Sequence, residues 1–184
     1  MFRWLRAYTH SDDPHVAACN TIAMVIAWNQ PYYPLYLLWI VGRDAWVGIP
    51  DAFSGVLFFA VPAIARRFPL LGRIAMVVFS VANVVFCSMM LGEAAGVQLL
   101  YIPCGMLAAI LFTWRERSVM LAMTALPLVA WYFTRTRLDI PPIRFTPEAY
   151  ASLFTLNAVS AGALMVFFGW LLAGINRAVE ERGR

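Results

Sequence analysis

The sequence predicts an all-α polytopic membrane protein: a six-transmembrane-helix bundle with an N-terminal interfacial helix and a C-terminal stalk helix. Three observations lead there. Of 184 residues, 62% are hydrophobic and 13% charged, against about 45–50% and about 25% in ordinary globular chains. A soluble chain of that balance could not cover its own surface, and a disordered one would be far more polar. The apolar residues fall into six runs, most of them near the roughly 20 residues that a helix needs to cross a bilayer. The breaks between those runs hold nearly all of the charge.

The first 15 residues read as a cytoplasmic juxtamembrane segment. Phe2, Leu5 and Tyr8 recur every third residue with Arg3 and Arg6 between them, a pattern that lays a short helix among headgroups. Ser11-Asp12-Asp13-Pro14 is a helix start, with capping residues followed by a proline in the first turn. Segment one covers 16–41 and is interrupted by Asn29-Gln30-Pro31-Tyr32-Tyr33-Pro34, whose prolines remove backbone donors and must kink or break the helix. Segment two runs from Pro50-Asp51 to about residue 65, with Asp51 placed to cap the helix or face water. Segment three, 70–91, ends at Gly92-Glu93. Segment four, 95–114, stops at Arg115-Glu116-Arg117, and segment five, 118–134, contains Pro127. A loop with Pro141-Pro142 leads to segment six, which starts near Glu148 and meets no breaker until Gly174. The domain plan is therefore 1–15, a six-helix membrane domain over 16–175, and the start of a cytoplasmic coiled-coil stalk over 176–184.

All 14 cationic residues are arginines. They sit in short gaps between apolar runs, so their anionic partner is expected to be the phospholipid bilayer and not a nucleic acid. Counting gaps alternately puts Arg3, Arg6, Arg66, Arg67, Arg73, Arg115, Arg117, Arg177, Arg182 and Arg184 on the side of the termini. Arg43, Arg135, Arg137 and Arg144 fall on the other. The positive-inside rule then makes both termini cytoplasmic. A five-span arrangement is the competing topology.

Signatures of soluble enzymes are absent: no GxxxxGK(S/T), GxGxxG, GxSxG or HExxH occurs. His10 and His15 miss the spacing of a helical metal pair, and Cys19, Cys87 and Cys104 lie singly in apolar runs. No catalytic residue, metal or other cofactor is expected in this chain. No ionisable residue lies near the middle of a span, which disfavours a proton-coupled transporter. Uncharged polar side chains instead share a depth: Asn29, Gln30 and Tyr33 in segment one, Ser88 closing segment three, Gln98 and Tyr101 opening segment four, and Asn157 in segment six. These are either hydrogen bonds between helices or the anchors of a pocket in the outer leaflet that takes an apolar or amphiphilic ligand. Asn20 and Asn83 read as bonds between helices.

Segment six, taken from Glu148 to about Arg182, is roughly 50 Å long at about 1.5 Å per residue, while the hydrocarbon core is about 30 Å thick. It should protrude as a stalk. Leu172, Ile175 and Val179 begin a heptad seam, and the pairs Ala158/Gly162 and Gly169/Ala173 allow close helix approach, which together suggest a homodimer whose coiled coil continues beyond residue 184.

Leu91-Gly92-Glu93-Ala94-Ala95-Gly96-Val97-Gln98-Leu99-Leu100-Tyr101 is similar to a motif in the six-span membrane anchors of bacterial class III adenylate/guanylate cyclases, where a Leu-Gly-x-x-x-Gly-(Ile/Val)-Gln segment opens the fourth span. An asparagine in the last span, here Asn157, and an Ala/Glu/Arg-rich stalk, here 178–182, follow it. The stretch from Asn20 to Gln30-Pro31-Tyr32-Tyr33 resembles the six-span sensor domains of quorum-sensing histidine kinases. The resemblance implies a receptor-like input domain that passes an extracytoplasmic or lipid-phase signal through the sixth helix to a cytosolic catalytic dimer, most simply an adenylate cyclase. The metal-binding aspartates and the other catalytic residues of that family have no counterparts here, so the chain alone makes no cyclic nucleotide. A histidine kinase sensor and a small standalone transporter are the alternatives.

Overall fold

A computed structural model describes residues 2–137 and 141–183; the side chains at 2–4, 6, 137, 182 and 183 lie outside the described set. The Arg3, Arg6, Arg137, Arg182 and Arg184 side chains of the charge count are therefore not placed. Every regular element among the described residues is helical. In order these are α1 (Phe2–Thr9), α2 (Pro14–Asn29), α3 (Tyr33–Val41), α4 (Ile49–Arg67), α5 (Pro69–Leu91), α6 (Tyr101–Leu111), α7 (Arg117–Arg137) and α8 (Pro147–Gly183), with short 3-10 turns between several of them.

The capping chemistry accounts for the boundaries. The Asp13 carboxylate accepts from the backbone N–H groups of His15 and Val16 at 2.8 and 3.4 Å, with Pro14 in the first turn. The NQPYYP interruption becomes a 3-10 turn, Gln30–Tyr32, between α2 and α3. The carbonyl of Ala27, whose helical donor would be the N–H that Pro31 lacks, lies against Gly55 of α4, so close that an added Cβ would stand 3.2 Å from it. The proline break and the glycine thus fit each other. Numbering runs oppositely along the two helices, with Ser54 beside Gln30 and Arg66 beside Tyr8, so the chain reverses between α2 and α4.

Length and hydropathy qualify three stretches as able to cross a membrane: Pro14–Arg67, Pro69–Leu91 and Pro147–Glu181. Val97–Leu111 with Trp114–Thr136 qualifies only as a pair bent by 111°. The expected straight fourth segment is not one helix. Gly96 takes a left-handed φ of 73° after one 3-10 turn, a second turn covers Val97–Leu100, and α6 is only 11 residues long, about 17 Å. α8, by contrast, is one unbroken helix of 37 residues, about 55 Å.

α1 does not merely lie beside the bundle. Its Tyr8 ring stacks on Phe59 with centroids 5.3 Å apart, its hydroxyl donates to the Phe59 carbonyl at 2.8 Å, and the Arg66 guanidinium sits over the same ring. At that end the start of α5 is locked to the turn before α7. Arg73, buried and read from sequence as an arginine of the cytoplasmic gap, donates to both Glu116 carboxylate oxygens at 2.8 and 2.6 Å and to the Leu111 carbonyl at 2.8 Å. Glu116 also closes a capping box with Thr113. The Arg73 hydrogen bonds hold the Glu116 carboxyl below its ordinary value of about 4.5.

Removing one partner of this pair leaves a charge with no counterion, a loss of about 3–5 kcal/mol for a fully buried pair and less where one partner reaches water, as Glu116 does. Arg73→Met and Glu116→Gln are each expected to lower the unfolding temperature in detergent, and the double variant to lose less than the sum of the two. Because pairing lowers the Glu116 pKa in the fold, its stabilisation is complete above about 4.5 and vanishes as pH falls through the lower folded value. Acid unfolding scans should show that loss in the parent chain and not in Glu116→Gln.

Candidate functional site

Two cavities open in the half of the bundle away from Arg73. The first, of about 380 Å³, is enclosed by α2 to α6 and α8. Four of the polar residues singled out in the sequence meet there: Asn29, Gln30, Tyr33 and Asn157. Gln98 and Tyr101 line the second cavity instead, of about 510 Å³, together with Glu93, Trp131 and Phe154. Ser88 is buried. The single outer pocket expected from depth alone is thus two, because the turns at 93–100 rotate Gln98 and Tyr101 away from Asn157.

Asn157, wholly buried on α8, is the junction of the first cavity. Its Oδ1 accepts from the Tyr33 hydroxyl at 3.2 Å and its Nδ2 donates to the Ala95 carbonyl at 2.9 Å. That carbonyl is presented by the turn between Gly92 and Gly96, whose φ values of 80° and 73° favour glycine. A Cβ at Gly96 would also stand 2.6 Å from Phe154 of α8. The Leu-Gly-x-x-x-Gly stretch is therefore the seat that docks α8; both glycines are required by conformation, and Gly96 also by the closeness of the helix.

Gln30 donates to Ser54, whose hydroxyl donates to the Asp51 carbonyl at 2.7 Å. Asp51 is the residue that sequence reasoning misplaced. It neither faces water nor acts only as a cap: it is buried, lines the first cavity and accepts from the Cys87 thiol at 3.2 Å. Asn83, read as a bond between helices, lines the same cavity. The signal was present, since Asp51 stands between apolar residues with its nearest sequence cation eight positions away at Arg43. In the second cavity Tyr101 donates to Thr134 at 2.9 Å, because the Thr134 proton goes to the Ala130 carbonyl at 2.7 Å.

The residues proposed for dimer and stalk separate as well. Gly162, Gly169 and Ala173 are exposed on α8, Ala158 is half-buried, and side chains added at Gly162 or Gly169 would meet nothing within 4 Å. Leu172 and Val179 are exposed, but Ile175 packs into the core, so these three residues do not form one free seam. A strict period of 3 and 4 cannot reveal that the bundle itself already covers one member.

Long apolar helices around a part-polar cavity, with a last helix running well past the length of a span, are the frame of a membrane protein. The chain belongs to the MASE7 family of membrane-associated sensor domains, whose model matches residues 5–180. No curated protein matches it.

Asn157→Leu leaves two groups, the Ala95 carbonyl and the Tyr33 hydroxyl, without their partner, at about 1–3 kcal/mol for each, whereas Tyr33→Phe leaves one, the Asn157 Oδ1. Thermal unfolding in detergent should show Asn157→Leu falling well below Tyr33→Phe. In the same assay Gly96→Ala should cost about 1–2 kcal/mol for its left-handed backbone plus a steric part, and adding Phe154→Ala should relieve only the steric part.

Proposed function

We propose that this sensor domain is the input module of a bacterial adenylate cyclase, with six membrane passes, both termini in the cytoplasm of an inner-membrane protein, and a homodimeric output. The first cavity holds an apolar or amphiphilic ligand, and α8 carries the response to the output domain. The observation that supports this most is the position of Asn157. One side chain on α8 ties the helix both to Tyr33, at the proline break beside the cavity, and to the glycine turn, while the same helix runs on unbroken to Gly183. A ligand that changes the spacing of Tyr33 and Asn157 moves α8 as a lever, biasing two arrangements of the paired stalks. The choice of a cyclase over a histidine kinase rests on the likeness of the 91–101 stretch to cyclase anchors. The exposed Gly162, Gly169 and Ala173 supply the surface through which two copies of α8 approach.

The test fuses the whole chain to a class III cyclase catalytic domain and measures cyclic AMP in cells. One alanine inserted after Arg177 turns everything downstream by about 100° and is expected to change output severalfold. Seven inserted residues, close to two full turns, should restore output to within about twofold. Output indifferent to both insertions would contradict a rigid lever.

A further inference from the structure

We infer that the first cavity selects an amphiphile with a cationic head, a primary or secondary ammonium group, seated on Asp51. The inference rests on the reading of that cavity as the ligand site and names the chemistry the site takes. Asp51 is 2% exposed, and among the described residues it enters no ion pair. None of the described side chains lining the cavity other than Asp51 carries a charge. Its partners are the Cys87 thiol at 3.2 Å and the Asn83 amide, and a thiol is a weak donor.

The other buried charge shows what this fold does when it satisfies an ion internally. Arg73 has a bidentate carboxylate and two backbone carbonyls. Asp51 has nothing comparable, although an isolated buried carboxylate is far costlier than a hydrogen-bonded neutral group. Its missing partner fits in the cavity that it faces. An ammonium group forms a charge-assisted hydrogen bond of the strong kind there, and a carboxylate-headed lipid meets a like charge instead. Phe58, Leu107, Leu164, Phe167 and Phe168 form the apolar wall that accepts the hydrocarbon part. At about 380 Å³ the cavity lies near the lower end of the roughly 300–1,000 Å³ of ligand pockets, so it takes a short amphiphile and not a whole phospholipid. Val25, Asn29 and Ala163 are the exposed members of the lining. The mouth therefore lies between α2 and α8 on the outer side of the bundle, where an amphiphile arrives from the lipid.

The test uses the whole chain in nanodiscs of zwitterionic lipid, titrated calorimetrically with octylamine, octanol and octanoate against empty nanodiscs. Octylamine is expected to bind at least about tenfold more tightly than the other two, the low end of a charged hydrogen bond. Asp51→Asn should bring octylamine to the level of octanol, and Ala163→Trp, at the exposed mouth, should weaken whatever binds. Octanol or octanoate binding the parent chain as tightly as octylamine overturns the proposal, as do an amine preference that survives Asp51→Asn and the absence of any octylamine binding. Should Asp51→Asn not fold, the order of the three ligands on the parent chain decides alone. If selectivity fails while Ala163→Trp still weakens binding, the cavity stands as the ligand site and only its proposed chemistry falls. If Ala163→Trp leaves all three affinities unchanged, the cavity itself is not the site.

Discussion

A polar atom buried in an apolar bundle must find its partner inside the protein, and in this fold that constraint decides where α8 sits. Only 17% of the apolar window of α8 is buried, against 44% for α5. Packing area alone therefore holds α8 weakly, and apolar contact could be met in many registers, since lipid chains are as apolar as the neighbouring helices. The Asn157 amide removes that freedom. It has one arrangement in which the Tyr33 hydroxyl and the Ala95 carbonyl are both satisfied, and any slide of the helix along its axis breaks both bonds together. Leu153 and Phe168, buried above and below it, can pack only after that register is set.

The two ends of the bundle solve the same problem differently. At one end the charge of Arg73 is neutralised in place, and α5, the end of α6 and the turn before α7 become one rigid unit. At the other, mostly neutral groups meet around the cavities, with Asp51 buried among them and Glu93 paired with Arg135 at 3.6 Å, and the backbone is held by glycine turns and a proline break in place of continuous helix. Neutral hydrogen bonds of about 0.6 kcal/mol each can be exchanged for bonds to a ligand, whereas an ion pair of the first kind cannot be opened cheaply. On the proposed reading the first end is the rigid one and the second the one that responds.

Much of this was legible in the sequence because it follows from local chemistry. Proline and glycine set the break at 30–34 and the stop at Gly92, and apolar runs without breakers set the extent of α5 and α8. What was not legible depends on which side chains face each other. Gln98 and Tyr101 share the depth of Asn157 by residue count, but the left-handed Gly96 and the 3-10 turn after it are not a helix with a rise of about 1.5 Å per residue, so counting failed at that point. The position of Asp51 at a helix start says nothing of whether Cys87 and Asn83 will close over it. Ile175 fits a heptad seam, and only the bundle reveals that its face is already taken. The straight fourth span failed for the same reason as Gln98.

The proposed coupling of cavity to stalk has an energetic bound. A ligand shifts α8 only by its difference in affinity for the two arrangements, and a swing from mostly one to mostly the other takes about 5.5 kcal/mol. Apolar filling of the cavity contributes nearly equally to both arrangements, because hydrophobic contact is not directional. The directional groups include the neutral Asn29, Gln30, Tyr33, Asn83 and Asn157, and Asp51, the one carboxyl among the described lining residues. A charged hydrogen bond of about 1.5–3 kcal/mol together with two Asn157 bonds of about 0.6 kcal/mol each comes to about 3–4 kcal/mol, a partial swing and larger than those neutral bonds alone give. On the proposed reading, the residue that the fold leaves without a counterion contributes the largest single part of that difference.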